Sequence, residues 1–103
     1  MFVRLTYLSF AADKKEQLKE IFSRDVVPVV KKQKGNLDIR LLEPTNTDEP
    51  YISITEWETA GDAELYESSG TYKTLVDLFK NDYTSKPVLK TYNVAGSKMA
   101  VPM

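Results

Sequence analysis

The chain contains no cysteine and no histidine. Without cysteine there is no disulfide framework, no thiolate nucleophile and no sulfur-ligated zinc or iron–sulfur cluster. Histidine is the commonest metal ligand, the usual haem axial ligand and the base that titrates near neutrality, so its absence removes the main player from most metal, haem and triad chemistries. Only all-oxygen ligation of magnesium or calcium stays open. Charge of one sign is lacking too: a net charge of -1 supplies no basic field to draw nucleic acid. No apolar run is long enough to span a bilayer, and MFVRLTYLSF has no cationic segment leading into a signal-type apolar stretch. A cytoplasmic protein with no membrane partner is the expectation.

What is present is the composition of one small folded domain: 103 residues, 42% apolar and 28% charged. A domain of this size buries only about two thirds of the surface its unfolded chain exposes, so association with a second copy would add to its core. Residues 2 to 9 alternate Val3, Leu5 and Tyr7 against Phe2, Arg4, Thr6 and Leu8, which predicts a strand covered on both faces. Asp13 and Glu16 have the spacing of a capping box and predict a helix start. Leu18, Ile21, Phe22, Val26, Val29 and Val30 then form an apolar stripe, which Pro28 should kink or break near Asp25 to Pro28. Lys31, Lys32 and Lys34 suit a helix C-terminus, and Gly35 suits its left-handed stop.

Residues 36 to 43 predict a second strand, PTNTDEP a hairpin connection, and Tyr51 to Glu58 a third strand with Tyr51, Ser53, Thr55 and Trp57 on one face. Thr59 and Asp62 open a short helix that Ser68 to Gly70 interrupts. Tyr72, Leu75, Val76 and Phe79 mark the next helix, and Val88 to Ala95 a last strand. The order is strand, helix, strand, strand, helix, strand: an α+β, ferredoxin-like βαββαβ fold with a four-stranded antiparallel sheet. Residues 1–95 form the domain and residues 96–103 a tail. Helices can cover only one face of such a sheet, and the other still carries apolar side chains, so two copies are expected to pack sheet against sheet as a homodimer.

The strand directly after Met1, the helix run LKEIFSRDVVPVV, the EW ending the third strand and the following AELYESSGTYKTL together resemble the antibiotic biosynthesis monooxygenase domain family of the dimeric α+β barrel superfamily. The resemblance implies a dimeric barrel, a hydrophobic pocket in each protomer between sheet and helices, and, in some members, oxidation of quinols or polycyclic phenols with no metal or organic cofactor. Some related members degrade haem with an asparagine on the first strand, a tryptophan on the helix after the third and a histidine on the next helix. The matching positions here are Thr6 or Tyr7, Tyr66 and a residue near Val76, and with no histidine in the chain that route is not expected.

A cofactor-free oxygenase orients an electron-rich substrate, stabilises its anion and keeps water away. Tyr66 and Tyr72, on either side of the helix break, are the candidate catalytic residues, with Trp57 bordering the same cavity. The bland alternative makes all three core or dimer-interface aromatics. Arg4 and Lys90 are candidate anchors for a carboxylate or phenolate, and Thr6 and Asn93 candidate neutral hydrogen-bonding groups. Their alternative is that Arg4 and Lys90 reach a sheet edge or pair with Glu56 or Glu58. Glu56 and Glu58 themselves read as a solvated strand end, against a paired-carboxylate or metal site.

An RNA-recognition module shares this element order, but YISITEW lacks its glycine-and-aromatic signature. The expected function is therefore a cofactor-independent monooxygenase acting on a small aromatic or quinol-type substrate. The alternative is a non-catalytic dimeric protein that binds a small molecule in the same pocket.

Overall fold

The computed structural model describes residues 1–97. Of the tail expected over residues 96–103, residues 98–103 lie outside the described residues. The elements run β1 (Phe2–Leu8), a 3₁₀ turn (Ala12–Lys14), α1 (Lys15–Ile21), a π-helical turn (Phe22–Val26), α2 (Val27–Lys31), β2 (Asn36–Leu42), β3 (Tyr51–Trp57), α3 (Ala60–Ser68), α4 (Thr71–Asp77) and β4 (Val88–Asn93). The strands form one antiparallel sheet in the order β2-β3-β1-β4, the ferredoxin-like arrangement.

Pro28 does not break the first helical segment in two. The chain widens into a π turn instead, in which the Val27 N–H reaches back to the Phe22 carbonyl, and α2 resumes with proline in its first turn, where the missing donor costs nothing. The wider turn also explains which residues are buried. Leu18, Phe22, Val26 and Val30 recur every four residues and are all in the core, whereas Val29, expected in the stripe, is 37% exposed. On an α-helix of 3.6 residues per turn a four-residue row drifts sideways by about 40° per step, and a π turn, with more residues per turn, takes up part of that drift.

The expected capping box is not formed: α1 starts after the 3₁₀ turn, with no side-chain cap at Lys14. Thr59 does cap α3, its hydroxyl accepting from the Asp62 amide at 3.1 Å. Gly35, at φ 78°, makes the left-handed stop after α2, and its carbonyl accepts from the Glu58 amide at 2.9 Å. Gly70, at φ 87°, turns the chain from α3 into α4.

The helices cover one face of the sheet, and the core lies between them. Leu8 from β1, Tyr51 and Trp57 from β3, Leu18, Phe22, Val26 and Val30 from the first helical segment, and Ala63, Tyr66, Leu75 and Phe79 from α3, α4 and the turn after α4 are buried together. Lys19 reaches Glu43 at 2.6 Å, and Glu43 accepts from the Tyr51 hydroxyl at 2.8 Å, which fastens α1 to the β2–β3 hairpin. The opposite sheet face presents Val3, Leu5 and Tyr7, paired in register with Glu56, Ile54 and Ile52 on β3 and with Tyr92, Lys90 and Val88 on β4. Val88 and Tyr92 are about half exposed there, at 49% and 51%.

Candidate functional site

Strand parity aims Arg4, Thr6 and Leu8 at the helices, and the antiparallel register sets them beside Thr55, Ser53 and Tyr51. The interior face of β1 is therefore polar at its two middle positions, Arg4 and Thr6, between Phe2 and Leu8, which is unusual for the central region of a core. Opposite stand Tyr66 from α3 and Tyr72, Leu75 and Val76 from α4, with Phe22 and Val26 from the π turn. Phe79 and Tyr83 close one end. These residues, with Ile39, line a recess between sheet and helices. Its cavity volume is about 40 Å³, and about 460 Å³ counted out to the open mouth. The smaller volume has room for a few waters and is well under the roughly 150 Å³ that takes a benzene ring, so a larger ligand must extend into the mouth.

Arg4 dominates the electrostatics. It is 5% exposed, and its guanidinium carbon lies 4.5 Å from the centroid of the Tyr72 ring and 5.7 Å from that of Tyr66, so two aromatic faces hold the cation in place. Its Nη2 is 2.9 Å from Glu67 Oε1, yet that buried nitrogen makes no hydrogen bond among the described residues: the contact meets the distance of an ion pair without the alignment of a hydrogen bond. Thr6 Oγ1 and the Tyr72 hydroxyl are 3.1 Å apart. Burial raises the phenol of Tyr66 well above the usual tyrosine range, with the Arg4 charge opposing the rise only in part. Tyr66 is thus a neutral O–H at ordinary pH, suited to donating a hydrogen bond and not to acting as a base. Tyr83 is raised in the same way by burial, and its hydroxyl donates to the Val76 carbonyl at 2.8 Å.

Of the residues singled out from sequence, Arg4, Thr6, Tyr66 and Tyr72 meet in this recess. Trp57 stands behind it: fully buried, it stacks on Tyr66 with centroids 4.9 Å apart and donates its indole N–H to Thr55 Oγ1 at 2.8 Å. Lys90 is on the opposite sheet face, its ammonium 5.3 Å from the Tyr7 ring centroid, because β4 sets it across from Leu5. Asn93 is exposed at the end of β4, opposite Phe2, and does not line the recess. Neither Glu56 nor Glu58 pairs with Arg4. Glu56 receives Arg40 at 2.9 Å, and Arg4 takes Glu67.

Sequence reasoning missed Glu67, Tyr83 and Phe22. Phe22 was legible only as core, and Tyr83 comes from a polar turn with no periodicity. Glu67 did carry a signal: a carboxylate in the last turn of a helix sits at the wrong end of the dipole.

Fold and recess together define a small α+β protein with an aromatic-lined internal site under a half-covered sheet. A sequence model of the antibiotic biosynthesis monooxygenase family matches residues 1–78. The chain belongs to that family. Solved structures agree on the fold. A Nitrosomonas europaea protein named for this family superposes with a TM-score of 0.78 at 21% identity, over 93% of this chain and 100% of its own. MhuD from Mycobacterium tuberculosis, a heme-degrader with two hemes bound in its active site, gives 0.80 at 18% identity, over 96% and 100%. A Deinococcus radiodurans protein, also named for the family, gives 0.77 at 15% identity, over the whole of both chains. No curated protein matches.

The MhuD likeness raises the question of haem, and the residues here do not fit it. Histidine, cysteine and methionine are absent from the lining of the recess. Tyrosine, the remaining axial ligand type, would bind as phenolate, which the raised phenols of Tyr66 and Tyr83 oppose. Among the described residues no cluster of acidic side chains could hold a metal ion.

Proposed function

We propose that this protein is a monooxygenase that oxidises a small, electron-rich aromatic or quinol-type substrate in the recess without a metal or organic cofactor. The observation that carries the reading is Arg4: a buried cation with an unsatisfied N–H, set between two tyrosine rings at the edge of an apolar space. A phenol or quinol placed against it loses its proton more readily, because the guanidinium stabilises the oxyanion in a medium where charge interactions are strong. The electron-rich anion then reduces oxygen directly. One oxygen atom enters the substrate at a ring carbon as a carbonyl, and the other leaves as water with the hydrogen of that carbon and the phenolic proton, so the substrate supplies all four electrons. Tyr66 donates a hydrogen bond to the developing oxyanion. Tyr72 does so as well when Thr6 donates its own hydroxyl hydrogen to the Tyr72 oxygen.

The same reading makes the protein a homodimer. The sheet face away from the helices presents Val3, Leu5, Tyr7, Ile52, Ile54, Val88 and Tyr92 with no element over it among the described residues, and a second sheet would cover it.

Oxygen uptake by purified, metal-stripped protein over a panel of hydroquinones and phenols tests the activity. The expected result is uptake above the autoxidation blank, with kcat lowered by about 10²-fold in Tyr66→Phe, as for loss of one oxyanion donor. Absence of uptake across the panel by folded protein counts against catalysis. Uptake unchanged in both Tyr66→Phe and Tyr72→Phe would remove these residues from the site.

A further inference from the structure

Arg4 and Glu67 are a mismatched pair. The guanidinium is 5% exposed while the Glu67 side chain is 51% exposed, and they touch at 2.9 Å without forming an aligned hydrogen bond. A well-made arginine–carboxylate pair is bidentate and planar, and this one is neither buried together nor hydrogen-bonded at Nη2. Glu67 is also held on poor terms. It occupies the last turn of α3, at the negative end of the helix dipole, and with a half-exposed side chain it needs little movement to be fully hydrated. Arg4 has no such freedom, because the rings of Tyr66 and Tyr72 pack against it. Leu8, Val26, Ile39, Leu75, Val76 and Phe79 supply apolar walls, beside the hydroxyls of Thr6, Ser53 and Thr55 along the sheet. An aligned acceptor at Arg4 and an apolar body beyond it are what the recess lacks.

We infer that the ligand is an anion before any chemistry occurs: a single-ring aromatic acid whose carboxylate replaces Glu67 on Arg4, with Glu67 acting as the resident counter-ion that swings into solvent. This rests on the recess being the substrate site, and it narrows the substrate from phenols in general to ring acids that present the carboxylate and the ionising hydroxyl side by side to the several N–H donors of the Arg4 guanidinium. Glu67 then sets selectivity. A neutral ring of the same shape cannot displace it without leaving Arg4 buried and unpaired, whereas a carboxylate restores the charge balance and adds the hydrogen bond that Glu67 fails to make.

The test is a binding titration, followed through the fluorescence of Trp57, the only tryptophan, which stacks on Tyr66. The probes are a dihydroxybenzoate and the corresponding dihydroxybenzamide, alike in shape and different in charge. Wild-type protein is expected to bind the acid at least tenfold more tightly than the amide. Glu67→Gln, a surface change that leaves the fold intact, should tighten the acid several-fold, since no counter-ion then has to leave Arg4, and the amide by less, since only the acid brings a charge to the guanidinium. Arg4→Met keeps an unbranched apolar stem in the core without the charge and should abolish the preference. Equal affinity for acid and amide in the wild type, no binding of either, or an acid affinity indifferent to Glu67→Gln would overturn the inference. Oxygen uptake in parallel separates the two readings. Selective acid binding with no uptake from any ring leaves the anion site standing and removes the monooxygenase; turnover of neutral hydroquinones with no acid preference does the reverse.

Discussion

The Tyr72 hydroxyl lies 3.1 Å from Thr6 Oγ1, which ties α4 to the central strand β1 at the wall of the recess. Thr6 is buried and Tyr72 half-buried, so the bond forms where water competes weakly. A double-mutant cycle of Thr6→Val and Tyr72→Phe, followed by urea unfolding, should give a coupling of about 0.5–1.5 kcal/mol. Strict additivity would mean that the two hydroxyls bond elsewhere in solution.

Trp57 anchors the wall behind the recess. It is fully buried, stacks on Tyr66 and satisfies its N–H on Thr55. Trp57→Ala should cost about 3–5 kcal/mol. Thr55→Val keeps the volume and strands the indole N–H, for a loss of about 1–3 kcal/mol. Denaturation midpoints read both, and a Thr55→Val protein as stable as wild type would show that the indole bond is dispensable.

The two left-handed glycines should differ in sensitivity. At Gly35 an added Cβ runs into the Asp62 side chain as well as the disfavoured φ, whereas at Gly70 nothing lies within 4 Å and only the backbone penalty applies. Gly70→Ala should therefore cost about 1–2 kcal/mol and Gly35→Ala more. Thermal melts of the two variants order them, and equal losses would mean that Asp62 simply moves aside.

Alkaline pH should destabilise the protein through its buried phenols. The folded-state pKa values of Tyr66 and Tyr83 are raised by burial, so the folded state holds these protons more tightly than the unfolded chain. That contribution is fully present below the unfolded tyrosine pKa of about 10 and is lost as pH rises from there toward the folded values. Stability measured across this window should fall, and the slope should be shallower in Tyr66→Phe. An identical slope would place Tyr66 in contact with water.

The uncovered sheet face predicts the assembly. Leu5 and Ile54 are register partners on adjacent strands at its middle. Sedimentation should show a dimer for the wild type and a monomer for Ile54→Lys, since a buried, unpaired ammonium is not tolerated in an apolar interface. A wild-type monomer at tens of micromolar would set this assembly aside.

Element order was legible in the sequence because alternation, caps and left-handed glycines are local. The two-residue period of YISITEW already put Tyr51, Ser53, Thr55 and Trp57 on one face, and the Thr59 cap and the turns at Gly35 and Gly70 form where short-range geometry demands them. Which face of β4 meets the helices was not legible. Val88, Lys90 and Tyr92 are no more polar than Leu89, Thr91 and Asn93, so only pairing with β1 decides it, and that pairing carries Lys90 away from the recess.

The chain by itself thus determined an α+β fold of this order, the lack of histidine and cysteine chemistry, and a cluster of aromatics around the Ser68–Gly70 break. Tertiary structure alone decided that Arg4 is buried against Tyr66 and Tyr72, that Glu67 and not Glu56 or Glu58 faces it, and that Trp57 supports the site from behind. The reason is distance along the chain. Periodicity says on which face of its own strand or helix a side chain lies, but the partner of a charge on β1 comes from a helix more than half the sequence away, and only packing brings the two together.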